Sequence, residues 1–183
     1  MKKQYLTRKG SFDSGHRVMN EKMKCFNMHG HTYIYELVFE FNEMEEIGYA
    51  IDFKEVKRVG CQWIDDILDH GMILNPHDVT VIDCAMETKS KLWLMSLNGK
   101  GQYCNPSAEN ISKEVFLAMD ILFAKYNNLK IHSIKLWETP NCSVECVRES
   151  ISEDESANFY KARFTEIEAY ELYKGRMEYD DRK

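Results

Sequence analysis

The sequence predicts an α+β domain, an antiparallel β-sheet with two long helices packed on one face. Three observations carry this expectation. In Tyr33-Ile-Tyr-Glu-Leu-Val-Phe-Glu-Phe41 the odd positions are all apolar, the period of two that marks a half-buried strand. Phe53, Val56, Val59, Trp63, Ile64, Ile67 and Leu68 recur at helical spacing and give one apolar stripe to lay on a sheet. The element order reads β-β-α-α-β-β, and runs of strands around a pair of helices favour an antiparallel sheet covered on one face.

The first two strands, about 4–17 and 29–42, flank a polar turn containing Asn20, Glu21, Lys22 and Lys24, a hairpin with a long functional loop. After a charged turn over 42–48, Asp52 and Glu55 form a D-x-x-E capping box, and a helix runs to about Asp69, where Gly71 supplies the stop. A second helix begins at Pro106-Ser107 with Ser107 as its cap and continues to about Tyr126, burying Ile111, Val115, Leu117, Met119, Leu122 and Phe123. Residues 129–138 alternate as a strand, Pro140-Asn141 breaks it, and 142–148 resumes it. Between 75 and 105 the run Met86–Leu97 reads as an inserted helix. Beyond Ser150, residues 157–170 fit helix and strand templates equally and stay unassigned.

A chain of 183 residues suits one domain with a real core. With 44% hydrophobic and 30% charged residues it has globular rather than disordered composition. The net charge of −6 argues against a nucleic-acid groove, and an anionic substrate would rely on local cations. The first nine residues lack an apolar core after their charges, and no apolar run approaches the ~18 residues that span a bilayer. A soluble, cytoplasmic protein without membrane contact is expected. The six cysteines at 25, 61, 84, 104, 142 and 146 include no C-x-x-C pair and are expected as reduced thiols.

The chemistry concentrates in Cys25-Phe-Asn-Met-His29-Gly-His31, read with Ser14-Gly-His16-Arg17. Strand periodicity puts His29 and His31 on one face, and His16 can join them from the neighbouring strand. Three imidazoles leave a fourth position open, as a catalytic zinc requires, and Gly30 lets the backbone pass close to the metal or another chain. Cys25 is the natural general base, because nearby Zn²⁺ would favour its thiolate. Asp69-His70, at a helix C-terminus where the dipole favours imidazolium, makes a second proton-transfer group. Glu138 ends a strand where a carboxylate can accept two hydrogen bonds. Glu109 and Ser107 lie at a helix N-terminus, where capping is the simple explanation. No H-E-x-x-H, zinc-deaminase or P-loop signature occurs, so binding a triphosphate would fall to scattered cations such as Arg17, Lys22 or Lys24.

The ordered motifs F-x-x-x-H ending at His16, C-x-x-x-H-G-H from Cys25 to His31, Asp52-Phe53, Leu68-Asp69-His70, Pro106-Ser107-Ala-Glu109-Asn110 and Glu138-Thr-Pro140 make the chain resemble the 6-pyruvoyltetrahydropterin synthase / 6-carboxytetrahydropterin synthase family. That resemblance implies small α+β subunits that pair edge strands into barrels (the tunnelling-fold type), a homo-oligomer, hexameric in the family, and Zn²⁺ on His16, His29 and His31. It implies Cys25, Asp69 and His70 as the catalytic set, the Asp-His pair coming from an adjacent subunit. Glu138 would anchor the pterin, with Glu109 and Ser107 near the same pocket. Residues 1–150 would form the synthase-like domain, with an inserted helical segment near 76–105, and 151–183 a C-terminal extension.

The expected substrate is 7,8-dihydroneopterin triphosphate. Cysteine-to-H-G-H spacing favours conversion to 6-carboxytetrahydropterin, acetaldehyde and triphosphate on the route to 7-deazaguanine and queuosine. The alternatives are 6-pyruvoyltetrahydropterin synthesis for biopterin and a non-catalytic pterin- or purine-binding oligomer, since a fold does not fix a function.

Overall fold

The computed structural model describes residues 3–180, with side chains through 172; residues 1, 2 and 181–183, the last three within the expected extension, lie outside it. Strands β1 (Gln4–His16) and β2 (His29–Phe41) form the expected hairpin, in register from Gln4↔Phe41 to His16↔His29. On the inner face Phe12, Tyr33, Tyr35, Leu37 and Phe39 are buried, which is why one register holds along the whole pair.

Asp52 caps the helix that follows, accepting from Lys54 N at 2.8 Å. Glu55 does not complete the expected box, because its carboxylate pairs with Arg58 and takes the Tyr126 hydroxyl at 2.5 Å. The run is α1 (Phe53–Val56), a π turn (Lys57–Cys61) and α2 (Gln62–Ile67). Gly60 faces the core within the π turn, and a Cβ there would stand 3.0 Å from Met119 Sδ, so its absence lets the helix approach its neighbour.

The sheet has six strands in the order β4-β3-β1-β2-β5-β6. It is mixed, which corrects the antiparallel expectation. Strand β3 (Gly71–Leu74) runs parallel to β1, and β4 (Lys91–Leu94) parallel to β3. Parallel neighbours need a crossover of a dozen or more residues, and residues 75–90 provide it around helix α3 (Val79–Glu87). The inserted helix therefore begins upstream of the expected Met86–Leu97 and overlaps it only at 86–87, and the centre of that run is strand β4. Helix α4 (Ala108–Leu122), β5 (Lys130–Thr139) and β6 (Cys142–Val147) follow as expected.

Helix α5 (Glu153–Asp180) takes up the unassigned tail. Phe159 and Ile167 are buried, each contributing roughly 1.5–3 kcal/mol. Arg163 stacks on Trp93 at 4.0 Å and donates to Ser96 Oγ at 3.2 Å and to the Leu94 carbonyl, while Lys113 pairs with Glu155 at 2.6 Å. Under this helix the buried Glu114 accepts from Trp93 Nε1 at 2.5 Å, Leu97 N at 3.0 Å and Ser96 N. Burial pushes its carboxyl up, against the pull of those donors and Arg163. All six cysteines are free. No helix among the described residues is long and apolar enough to cross a membrane.

Candidate active site

The hairpin register creates the site. His16 pairs directly with His29 across β1 and β2, and His31 follows on the same face, so three imidazoles converge with ring centroids 4.5–5.2 Å apart. Their ligand nitrogens all lie within 4.8 Å of one another. Gly30 lies between the two β2 histidines, where a Cβ would meet Ser14 O at 3.0 Å, so the close approach it permits is to β1.

The hydrogen bonds behind the rings set their tautomers. His16 Nδ1 lies 2.8 Å from the Pro106 carbonyl and His29 Nδ1 2.7 Å from the Asn27 carbonyl. A carbonyl only accepts, so both Nδ1 atoms carry the proton and both Nε2 atoms present lone pairs. Those two Nε2 atoms face each other at 3.1 Å, and His31 Nε2 is buried without a hydrogen-bond partner. Acceptors gathered in this way call for a cation. Two nitrogens bound to a tetrahedral zinc at ~2.0–2.1 Å stand about 3.3 Å apart, so the His16–His29 pair is spaced for that ion, with a His31 ring nitrogen within 4.8 Å of both. Burial lowers the His16 pKa, reinforced by His29 and His31 and opposed by the Pro106 carbonyl and Glu138, which favours the neutral, ligating form.

Glu138 arrives from the end of β5, with Oε1 3.5 Å from His16 Nε2 and 4.0 Å from His31 Nε2. Tyr33, next on the histidine face, has a buried hydroxyl without a partner. Burial, then the charges of Glu138 and Cys25, push its pKa up. Cys25 sits half-buried in a single 3₁₀ turn (Lys24–Phe26) of the loop joining β1 to β2. Ser107 caps α4, accepting from Asn110 N at 3.4 Å, and adjoins Pro106, whose carbonyl holds His16. Glu109 is exposed in the first turn of that helix.

Asp69 and His70 pair with each other rather than with the imidazoles, although His70 and His31 line one depression. His70 follows α2 with φ +54°, so the left-handed stop expected at Gly71 is taken by His70, and Gly71 begins β3. The His70 N–H donates to Asp13 O at 2.7 Å, and Asp69 Oδ1 accepts from Asp13 N at 2.7 Å. Burial opposes ionisation of Asp69, but the Asp13 N–H, the His70 ring and Lys91 hold its pKa below the usual carboxylate range. Asp69 Oδ2 orients the His70 ring through Nδ1. That ring is 78% exposed and borders an open depression lined also by Asp13, Ser14, Gly15, Gly30, His31, Thr32 and Gly71, so His31 of the cluster shares it.

Sequence reasoning missed the Asn27 and Pro106 carbonyls and the engagement of Arg17. Its guanidinium Nε lies 2.9 Å from Asp78 Oδ2 and therefore is not a free phosphate ligand. Asn27, two residues before His29, gave a weak positional signal; Pro106 gave none beyond preceding the cap.

Comparison with known proteins places this arrangement. Residues 5–149 match the family model described as 6-pyruvoyl tetrahydropterin synthase. A 6-carboxy-5,6,7,8-tetrahydropterin synthase of Rickettsia felis is 35% identical over 146 residues, covering 76% of this chain and 96% of its own length. Among solved structures, an uncharacterized protein from Wolinella succinogenes superposes with a TM-score of 0.64 at 16% identity, over 81% of this chain and 99% of its own. The 6-pyruvoyl tetrahydropterin synthase of Caenorhabditis elegans gives 0.53 at 20%, over 80% and 96%. The family match runs through β6 and stops short of α5, and with a named synthase 35% identical across it, this chain belongs to the 6-pyruvoyl tetrahydropterin synthase family.

Proposed function

We propose that the protein is a zinc-dependent lyase that converts 7,8-dihydroneopterin triphosphate and water to 6-carboxy-5,6,7,8-tetrahydropterin, acetaldehyde and triphosphate, on the route to 7-deazaguanine and queuosine. The observation that carries the reading is the pair of Nε2 lone pairs facing each other at 3.1 Å while both Nδ1 atoms are committed to backbone carbonyls. His16, His29 and His31 would hold the ion. When bound, zinc supplies Lewis acidity that polarises a substrate hydroxyl or carbonyl and makes the adjacent C–H easier to ionise.

The chain's own residues do the rest. Cys25 takes a proton from the side chain as thiolate, and His70, oriented by Asp69, moves a second proton. Glu138 accepts from the amino-pyrimidinone edge of the pterin beside the histidines, with Ser107 and Glu109 at the rim of the same pocket. The exposed His70, open to solvent beside a depression that His31 also lines, fits a site completed by an adjacent subunit. The assembly is then a homo-oligomer, a hexamer whose sheets join edge to edge into barrels. Residues 1–150 carry the synthase domain, with the insertion near 76–105, and 151–183 extend it.

Chelator-stripped protein is expected to release acetaldehyde at less than about a tenth of the loaded rate, with zinc restoring it. Quantitative aldehyde trapping against measured metal content checks this. Full acetaldehyde release from stripped protein would remove the metal from the reading.

A further inference from the structure

We propose that Asp78 and Asn105, in the segment between β3 and α4, are positioning residues that hold the 17–27 loop, and through it the Cys25 thiol, against the histidine cluster. The inference rests on the reading of Cys25 as proton acceptor given above. The thiol is carried by one 3₁₀ turn whose N-cap Met23 makes no side-chain bond and whose C-cap Asn27 donates through Nδ2 to Lys24 O at 3.0 Å, closed further by Val18 N donating to Cys25 O at 2.8 Å. A loop of that length has many conformations of similar energy unless something outside it selects one.

The 75–105 segment makes that selection at three points. Buried Asp78 meets one edge of the Arg17 guanidinium, Oδ1 accepting from Nη2 at 3.1 Å and Oδ2 forming an ion pair 2.9 Å from Nε. The same guanidinium lies 4.5 Å from the centre of the Phe26 ring, so Asp78 is coupled through Arg17 to the residue beside Cys25. Asn105 Oδ1 accepts from Met19 N at 3.0 Å, and the Tyr103 hydroxyl donates to Met19 O at 3.1 Å. One segment therefore grips the loop at Arg17, at Met19 and, through the stack, at Phe26.

The grip is itself anchored. Fully buried Asn75 donates to Asn105 Oδ1 at 2.9 Å, and Asn110 in α4 donates to Asn105 O at 2.9 Å. The next residue, Pro106, supplies the carbonyl that fixes His16, while the loop supplies the Asn27 carbonyl that fixes His29. Asn105-Pro106 thus ties the thiol's loop and the first imidazole to one point, and a shift of about 1 Å between reacting groups can cost 10²-fold in rate. Burial makes the Arg17–Asp78 pair obligatory, because loss of either partner leaves an uncompensated charge.

The test uses the full metal-loaded chain with Asp78→Ala, Asn105→Ala and Tyr103→Phe. The last is exposed and loses only a hydroxyl, so it keeps the question open if Asp78→Ala does not fold. Two quantities are read, the rate of Cys25 alkylation by iodoacetamide, located by peptide mass spectrometry, and kcat and KM on dihydroneopterin triphosphate. Alkylation of Cys25 is expected to rise about fivefold or more as the loop opens locally. In Asp78→Ala and Asn105→Ala, kcat is expected to fall about 10–100-fold with KM within about threefold, and Tyr103→Phe to move the same way by less. Unchanged alkylation and kcat in folded variants would overturn the proposal. So would a changed KM at constant kcat, which assigns Arg17 to anion binding. Altered alkylation in a protein that never turns over this substrate would sink the lyase reading and leave the positioning role standing.

Discussion

Replacing Cys25 by alanine is expected to lower turnover of dihydroneopterin triphosphate about 10³-fold, the scale of a lost general base, with metal content unchanged. The two readouts separate because the thiol stands outside the donor set. The three ring nitrogens come from β1 and β2 and are fixed by the Pro106 and Asn27 carbonyls, none of which needs the Cys25 side chain. The thiol nevertheless belongs to the same loop as Asn27, whose carbonyl holds His29. Steady-state kinetics beside metal analysis checks the expectation. Undiminished turnover takes Cys25 out of the mechanism, and loss of metal with the thiol makes it a ligand.

Mixing two inactive proteins is expected to restore activity. His70→Ala should be as inactive as Cys25→Ala, because the proposed mechanism makes the Asp69–His70 pair its second proton-transfer group. In one chain the His70 ring is 78% exposed and shares an open depression with His31, and the proposed constellation draws it from a neighbour. After 1:1 unfolding and reassembly, one site in four combines an intact Cys25 with an intact His70 from the adjacent subunit. About a quarter of wild-type activity should then return. A site built within one chain would recover nothing, and that result would contradict the shared arrangement.

The parts of this account that were legible in the sequence are those set by short-range periodicity. Alternation from Tyr33 to Phe41 placed both hairpin strands within a residue of β1 and β2, and the same period put His29 and His31 on one face before His16 was paired with them. Strands β3 and β4 escaped because each is four residues long, too short to show a period, and exists only because α3 carries the chain across between them. Helix α5 was ambiguous for a related reason. Across its described side chains only Phe159 and Ile167 are fully buried, and two anchors eight residues apart satisfy a helix and a strand equally. The stop after α2 was assigned to Gly71 by propensity, whereas the chain places His70 at positive φ, held by its N–H bond to Asp13 O. The carbonyls of Asn27 and Pro106, which fix the ligand tautomers, belong to the backbone and have no residue-type signature. The grip of the 75–105 segment on the Cys25 loop joins positions 61 and 86 residues apart, beyond any local pattern.

The most direct test of the central claim is mass spectrometric identification of the products formed from dihydroneopterin triphosphate by the zinc-loaded protein. The account predicts 6-carboxytetrahydropterin with one equivalent each of acetaldehyde and triphosphate. Formation of 6-pyruvoyltetrahydropterin without acetaldehyde, or recovery of unchanged substrate at full metal occupancy, would contradict it.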